Sequence, residues 1–151
     1  MVYQWKTGSK HNVDPQIAGE VCAALETVGQ LSAANLVEVS RPEDAPLHSE
    51  FEWDDTEAAI RWREHQARRI IGHITVVSHA DETNPIRAFF HLAESDPKYE
   101  SISTIVQQQD KYDQLLQLAL KELNSFRRKY SQLEQLSAVF EAIDAATEQS
   151  T

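Results

Sequence analysis

Arg61, Arg63, His65, Arg68, Arg69 and Arg87 fall between positions 61 and 90, and their types and spacing suit chemistry with an anion. That stretch holds five arginines against three acids (Glu64, Asp81, Glu82), a balance of +2 (5 − 3). Residues 1–60 carry 3 basic and 11 acidic side chains, and residues 91–151 carry 6 and 10, so a chain of formal charge −10 has a single net-positive third. Guanidinium groups are what docking on a phosphate backbone requires. At helical spacing Arg61, His65, Arg68 and Arg69 share the face opposite Trp62 and Ile70. A simpler chemistry competes for the same side chains. Glu57 precedes Arg61 by four residues and Glu64 precedes Arg68 by four, the spacing of solvated ion pairs within a helix.

Other residues suggest other chemistry, with less support. Glu50, Glu52 and Asp55 form an acidic group that could engage a basic partner protein, and Phe89 alternates away from Phe90, either under the C-terminal helices or on a contact surface. The six histidines raise the question of a metal ion, three of them (His73, His79, His91) in β-prone sequence. His73 and His79 stand about 20 Å apart along a strand and cannot share an ion. A His73–His91 pair lacks a third ligand. Asp54 and Glu57 serve a helix start better than a metal cluster with Asp55. Cys22 is the one cysteine, so no disulfide closes within the chain and no thiolate-rich zinc site forms; inside a helix it reads as a small packing residue. With four glycines and no phosphate-loop, H-E-x-x-H, G-x-S-x-G or C-x-x-C motif, the sequence nominates no enzyme, metal or cofactor.

The elements that must position these residues are an α+β set. Met1–Ser9, with Val2, Tyr3 and Trp5 and a stop at Gly8, reads as an edge strand or docking arm. Asp14-Pro15 starts a first helix over about 15–28, with Ile17, Val21, Ala24, Leu25 and Val28 on one face, and Ser32 starts a short second helix that ends before Arg41-Pro42. The following loop is apolar enough to pack down. Asp54 and Glu57 cap a third helix that runs to about Ile71, with Ala59, Trp62, Gln66 and Ile70 inward and Gly72 as its stop. The period then changes to two. Strands over 73–79 and 86–92 flank a turn at Ala80–Pro85, and Tyr99–Ile105 supplies a possible third strand. From Asp110 on, Tyr112, Leu116, Ala119, Leu123, Phe126, Tyr130, Leu133 and Phe140 keep a 4-3 heptad spacing that Ser137 interrupts. Either one long helix follows, or two with a break near Tyr130, where Arg127–Lys129 suit a C-terminus and Ser131 with Glu134 suits a new start. The organisation expected is a winged-helix-like unit with its hairpin over 1–106, a C-terminal helical hairpin or long helix over 107–146, and a polar tail over 147–151.

The segments Ala45-Pro46-Leu47-His48, Phe51-Glu52-Trp53-Asp54-Asp55, Ala58-Ala59, Arg63 and Gln66-Ala67-Arg68 resemble a family of small proteins encoded by bacteriophages and prophages, to which no activity is assigned. The resemblance extends over nearly the whole chain, through Val2–Gly8, Gly19-Glu20, Arg87-Ala88-Phe89 and Phe126–Tyr130. It implies a phage origin, and with it a DNA-binding regulator, an inhibitor of host defence or an assembly accessory. Helix, short helix, longer helix and hairpin is also the order of a winged helix-turn-helix, in which the third helix enters the major groove. The expectation is a non-enzymatic, cytoplasmic DNA-binding or regulatory protein. The alternative is an interaction module for a basic host or phage protein. The heptads add a homodimer, and the lack of a long apolar run argues against a membrane span.

Overall fold

In the computed structural model, which describes residues 1–54, 56–78 and 81–150, the chain is mixed α+β and forms two compact units, Met1–Thr104 and Ile105–Thr151. The boundary lies two residues before the expected one. His79, a histidine of the metal question, and Asp55, of the acidic group, lie outside the described residues.

The first unit begins with β1 (Val2–Trp5), followed by α1 (Pro15–Thr27) and α2 (Ala33–Ser40). Both helices start as their sequences dictate. The Asp14 carboxylate accepts from the Gln16 amide with Pro15 at the first position, and the Ser32 hydroxyl accepts from the Asn35 amide. The buried face of α1 is rotated from the expected one: Ala18, Gly19 and Cys22 lie inward, while Ile17 and Val28 are exposed. Gly19 explains the rotation. A Cβ there would lie 2.1 Å from Cγ of Tyr3, so the ring of the N-terminal arm rests directly on the helix backbone.

The 41–56 connection packs down through Leu47 and Phe51, with a 3₁₀ turn at His48–Glu50. It leads into α3 (Glu57–His73), whose cap is Thr56 rather than Asp54 with Glu57. The Thr56 hydroxyl accepts from the Ala59 amide, and Asp54 acts one step earlier by accepting from the Thr56 amide. The helix runs through Gly72 instead of stopping there. Its inward face is Ala59, Arg63, Ala67, Ile70 and Ile71, so Trp62 and Gln66 are displaced from the expected inner row.

Strands β2 (Ile74–Ser78) and β3 (Asp81–Arg87) follow, and β1 adds antiparallel to β2 in the order β1-β2-β3, with Tyr3 opposite Val76. β3 begins at Asp81, inside the expected Ala80–Pro85 turn. Pro85 is tolerated because β3 is an edge strand. The expected 86–92 strand breaks at Ala88, whose amide donates to the Ile74 carbonyl and whose carbonyl accepts from the Ile102 amide. The chain there passes into a second sheet of β4 (Phe89–His91) and β5 (Tyr99–Ser101). Alternation does not survive the break, and Phe89 is fully buried in the first unit's core, stacked on Tyr3 at 6.2 Å between centroids. Phe89 is therefore not on a contact surface. Only 99–101 of the possible third strand is extended; Ile102–Gln107 is a helix, α4, and the Glu26 carboxylate accepts from Ser101 and Thr104 at its start.

The second unit is built on α5 (Gln109–Lys129) and α6 (Ser137–Gln149), so the helix does break at Tyr130. The Ser131–Glu134 start does not form. A 3₁₀ turn at Glu134–Leu136 intervenes, and α6 begins without a side-chain cap. The two helices run antiparallel through Leu120, Phe140 and Ile143, with Asn124 donating to Thr147 and Arg127 to Asp144.

Candidate functional site

Four of the six basic candidates, Arg61, His65, Arg68 and Arg69, lie on the solvent face of α3, within about 100° of its circumference at roughly 100° per residue. Their face opposes Ile70 as expected, but Trp62 lies beside them, stacked on His65 at 5.2 Å. Of the two expected intrahelical ion pairs, Glu64–Arg68 forms at 3.5 Å, whereas no pair joins Glu57 to Arg61. Arg87 is held near the end of α3: its Nε donates to the Phe89 carbonyl, and its guanidinium approaches the position of Gly72.

Arg63 is the exception, being 3 % exposed. Its Nη1 donates to the carbonyls of Glu52 and Asp54, and its guanidinium lies over the Trp53 ring at 5.3 Å. It anchors the 41–56 connection to α3 and cannot reach a groove. The acidic group disperses in a similar way. Glu52 is exposed, but the Glu50 side chain is 6 % exposed and fully engaged inside the fold, so neither it nor Phe89 presents a surface to a partner.

What engages Glu50 is a constellation that the sequence reading did not contain. Residues 6–13 cross the end of α3 and the 3₁₀ turn. The Lys6 amide donates to the His73 carbonyl, and the Glu50 carboxylate accepts from the amides of Asn12 at 2.6 Å and Val13 at 2.8 Å. The other oxygen of Glu50 meets His11 Nδ1 at 3.2 Å, and His11 Nε2 meets His73 Nδ1 at 2.8 Å. Trp5 stacks on His11 at 3.8 Å between centroids, and its own Nε1 donates to the Val13 carbonyl.

With both imidazoles neutral, one tautomer assignment satisfies every link. The carboxylate accepts from His11 Nδ1–H, His11 Nε2 accepts from His73 Nδ1–H, and His73 Nε2 is left with its lone pair. Burial above all, then His11 and the cations Arg69, Lys6 and Arg87, hold His73 below the ordinary histidine range, which favours this neutral form. His73 therefore neither pairs with His91, which meets the Asp96 carbonyl in the other sheet, nor takes part in a metal group; no three ligand-type side chains converge on a metal site among the described residues.

The chain of hydrogen bonds ends at a cleft of about 390 Å³ lined by Lys6, Thr7, Gly8, Ser9, Lys10, Arg69 and His73. A hollow of about 180 Å³ lined partly by Lys10, His11, Glu50 and Arg69 lies on the same side chains. Gly8 adopts φ +86 with nothing within 4 Å of where its Cβ would be, so the backbone here is open to close approach. Lys6, Lys10 and Arg69 form no ion pair with any described residue. The one sequence signal was weak: Lys6 and Lys10 are the only cationic side chains among the first 40 residues. His11, Glu50 and His73 come from three separate segments, and no local spacing rule joins them.

No family model matches the chain, and neither the curated proteins nor the solved structures provide a match.

Proposed function

We propose that the first unit is a DNA-docking module, the central part of a non-enzymatic phage regulatory protein of winged-helix-like type, and that it meets the phosphate backbone through α3. The observation that carries this reading is the unopposed charge on one face of an acidic protein: Arg61 and Arg69 have no carboxylate partner among the described residues, and Arg68 has only an exposed one. An exposed pair is worth at most about 1 kcal/mol, so Arg68 exchanges Glu64 for a phosphate at little cost. The element order supports the same reading. A third helix followed by a hairpin is the arrangement that places a helix in the major groove and a wing on the backbone. The differences from that plan are the strand that completes the sheet, which precedes α1, and the 41–56 connection, which Arg63 anchors.

Fluorescence anisotropy on a 5′-hydroxyl duplex tests the proposal. Binding is expected at 50 mM salt and is lost steeply by 200 mM. The double substitution Arg61→Ala and Arg68→Ala should lower the slope of log K against log salt by about 2, at roughly 0.9 per phosphate contact. An undetectable complex at 50 mM salt rejects the reading. With Glu50 and Phe89 buried, the alternative of an acidic surface for a basic partner retains Glu52 alone among its described candidates.

A further inference from the structure

The cleft beside His73 has a chemistry that backbone docking does not use. A phosphodiester or a carboxylate brings one charge and no exchangeable proton. This cleft offers three cations, Lys6, Lys10 and Arg69, none ion-paired to a described residue, together with an imidazole whose outer nitrogen makes no hydrogen bond to any described residue. The ligand that uses all four is a dianion that can share a proton. We propose that the cleft between the Lys6–Lys10 turn and the end of α3 binds a phosphate monoester, such as the terminal phosphate of a nucleic-acid strand or of a nucleotide.

Lys6, Lys10 and Arg69 balance the charge, Gly8 lets the backbone approach closely, and His73 Nε2 shares the proton with a phosphate oxygen. Glu50 and His11 are positioning residues. By accepting from His11 Nδ1–H, the carboxylate turns the His11 lone pair toward His73 Nδ1–H and so keeps His73 Nε2 as the free acceptor. The volume of about 390 Å³ admits a phosphate with part of the group that carries it. No bond is made or broken, and the ligand leaves as it came.

Binding should be linked to protons with a definite sign. The groups facing His73 are His11, Arg69, Lys6 and Arg87, with Glu50 behind His11, and in the free protein burial first, then His11 and the three cations, keep His73 neutral at pH 7. A bound dianion reverses that field, so the complex takes up a proton and affinity rises as pH falls from 8 to 6.5. Below about pH 6 the ligand itself becomes protonated and the gain ends.

Isothermal titration of the full chain with a nucleoside 5′-monophosphate, with inorganic phosphate, and with matched 5′-phosphoryl and 5′-hydroxyl duplexes provides the test. The expected result is binding of the monophosphate and at least about tenfold preference for the phosphorylated duplex, with proton uptake measured across buffers of different ionisation enthalpy. Inorganic phosphate binding as tightly as the nucleotide assigns the cleft to the free anion; weaker binding assigns it to a phosphate carried on a nucleoside or strand. Lys10→Ala and Arg69→Ala, both at exposed positions, should each weaken binding about tenfold or more, and His73→Gln should flatten the pH profile. Equal affinity for the two duplexes together with no monophosphate binding overturns the proposal, as does wild-type affinity in both Lys10→Ala and Arg69→Ala. The proposal deepens the docking reading but fails separately from it: a monophosphate that binds a chain unable to hold a 5′-hydroxyl duplex removes the docking and leaves the cleft.

Discussion

Arg63 and Arg61 are two residues apart on α3 and do opposite things. Arg61 stands in water. Arg63 is buried with its donors on two backbone carbonyls and its plane on Trp53. Truncating Arg63 leaves the Glu52 and Asp54 carbonyls without their charged donor and a hollow against the indole. Arg63→Ala is therefore expected to cost about 2–3 kcal/mol in urea unfolding, the range for a lost charge-assisted hydrogen bond in a buried setting. Arg63→Lys should recover little of it, because an ammonium cannot span two carbonyls and stack at once. Arg61→Ala should stay within about 0.5 kcal/mol of wild type. The sequence grouped the two because helical spacing and charge are all it displays. What separates them is a loop that returns over the helix, and the partner groups it brings are backbone atoms with no residue type to read. His11, Glu50 and His73 escaped notice for a related reason: each has an ordinary local role, and only the crossing of the 6–13 segment over α3 joins them.

At the scale of elements, the arm β1 is held at two levels. Its register on β2 is set by backbone pairing, and Tyr3 is clamped between the backbone of α1 at Gly19 and the ring of Phe89. Gly19→Ala alone should raise helix propensity by about 1 kcal/mol. Here the added Cβ falls 2.1 Å from the Tyr3 ring, so the arm must shift off the helix. The net effect expected is destabilisation by about 1–3 kcal/mol, as for overpacking elsewhere. A double-mutant cycle checks the cause: with Tyr3→Ala already present, Gly19→Ala should become neutral or mildly stabilising, and equal costs in both backgrounds contradict the clamp. The starts of α1 and α2 were legible, since Asp14-Pro15 and Ser32 announce them, whereas the break at Tyr130 settles between two readings that the basic residues before it left open, and α4 forms where β-prone residues suggested a strand. The faces were less so, since a helix turned to admit a ring against glycine exposes Ile17 and buries Ala18, against the order of apolarity. Strand parity failed at Ala88 because a change of sheet resets alternation.

At the scale of the molecule, the second unit leaves the heptad stripe unsatisfied. Packing between α5 and α6 uses Leu120, Asn124 and Arg127, with the Phe126 ring 6.5 Å from that of Phe140, while Tyr112, Leu116 and Leu123 lie about a fifth of a turn to the side of that row at roughly 100° per residue. Tyr112, Leu116 and Leu123 are 39–47 % exposed on one face of the 21-residue helix, and the half-exposed rings of Phe126 and, just past its end, Tyr130 continue the apolar surface. A 4-3 repeat is self-complementary, because knobs from one copy fit holes between the same residues of another, and apolar surface of this extent favours removal from water. The expectation is a dimer joined through α5, with a light-scattering mass near twice 17.2 kDa at about 50 µM chain. Leu116→Glu with Leu123→Glu should return the mass to that of one chain. Both positions are already open to water within the single chain, so the circular-dichroism helix signal should change little. A wild-type mass of one chain at that concentration refutes the dimer, and a mass unchanged by the two glutamates places the contact elsewhere. Since a dimer presents two copies of α3 per particle, the same substitutions should also weaken duplex binding while leaving the monophosphate affinity of each cleft unaltered.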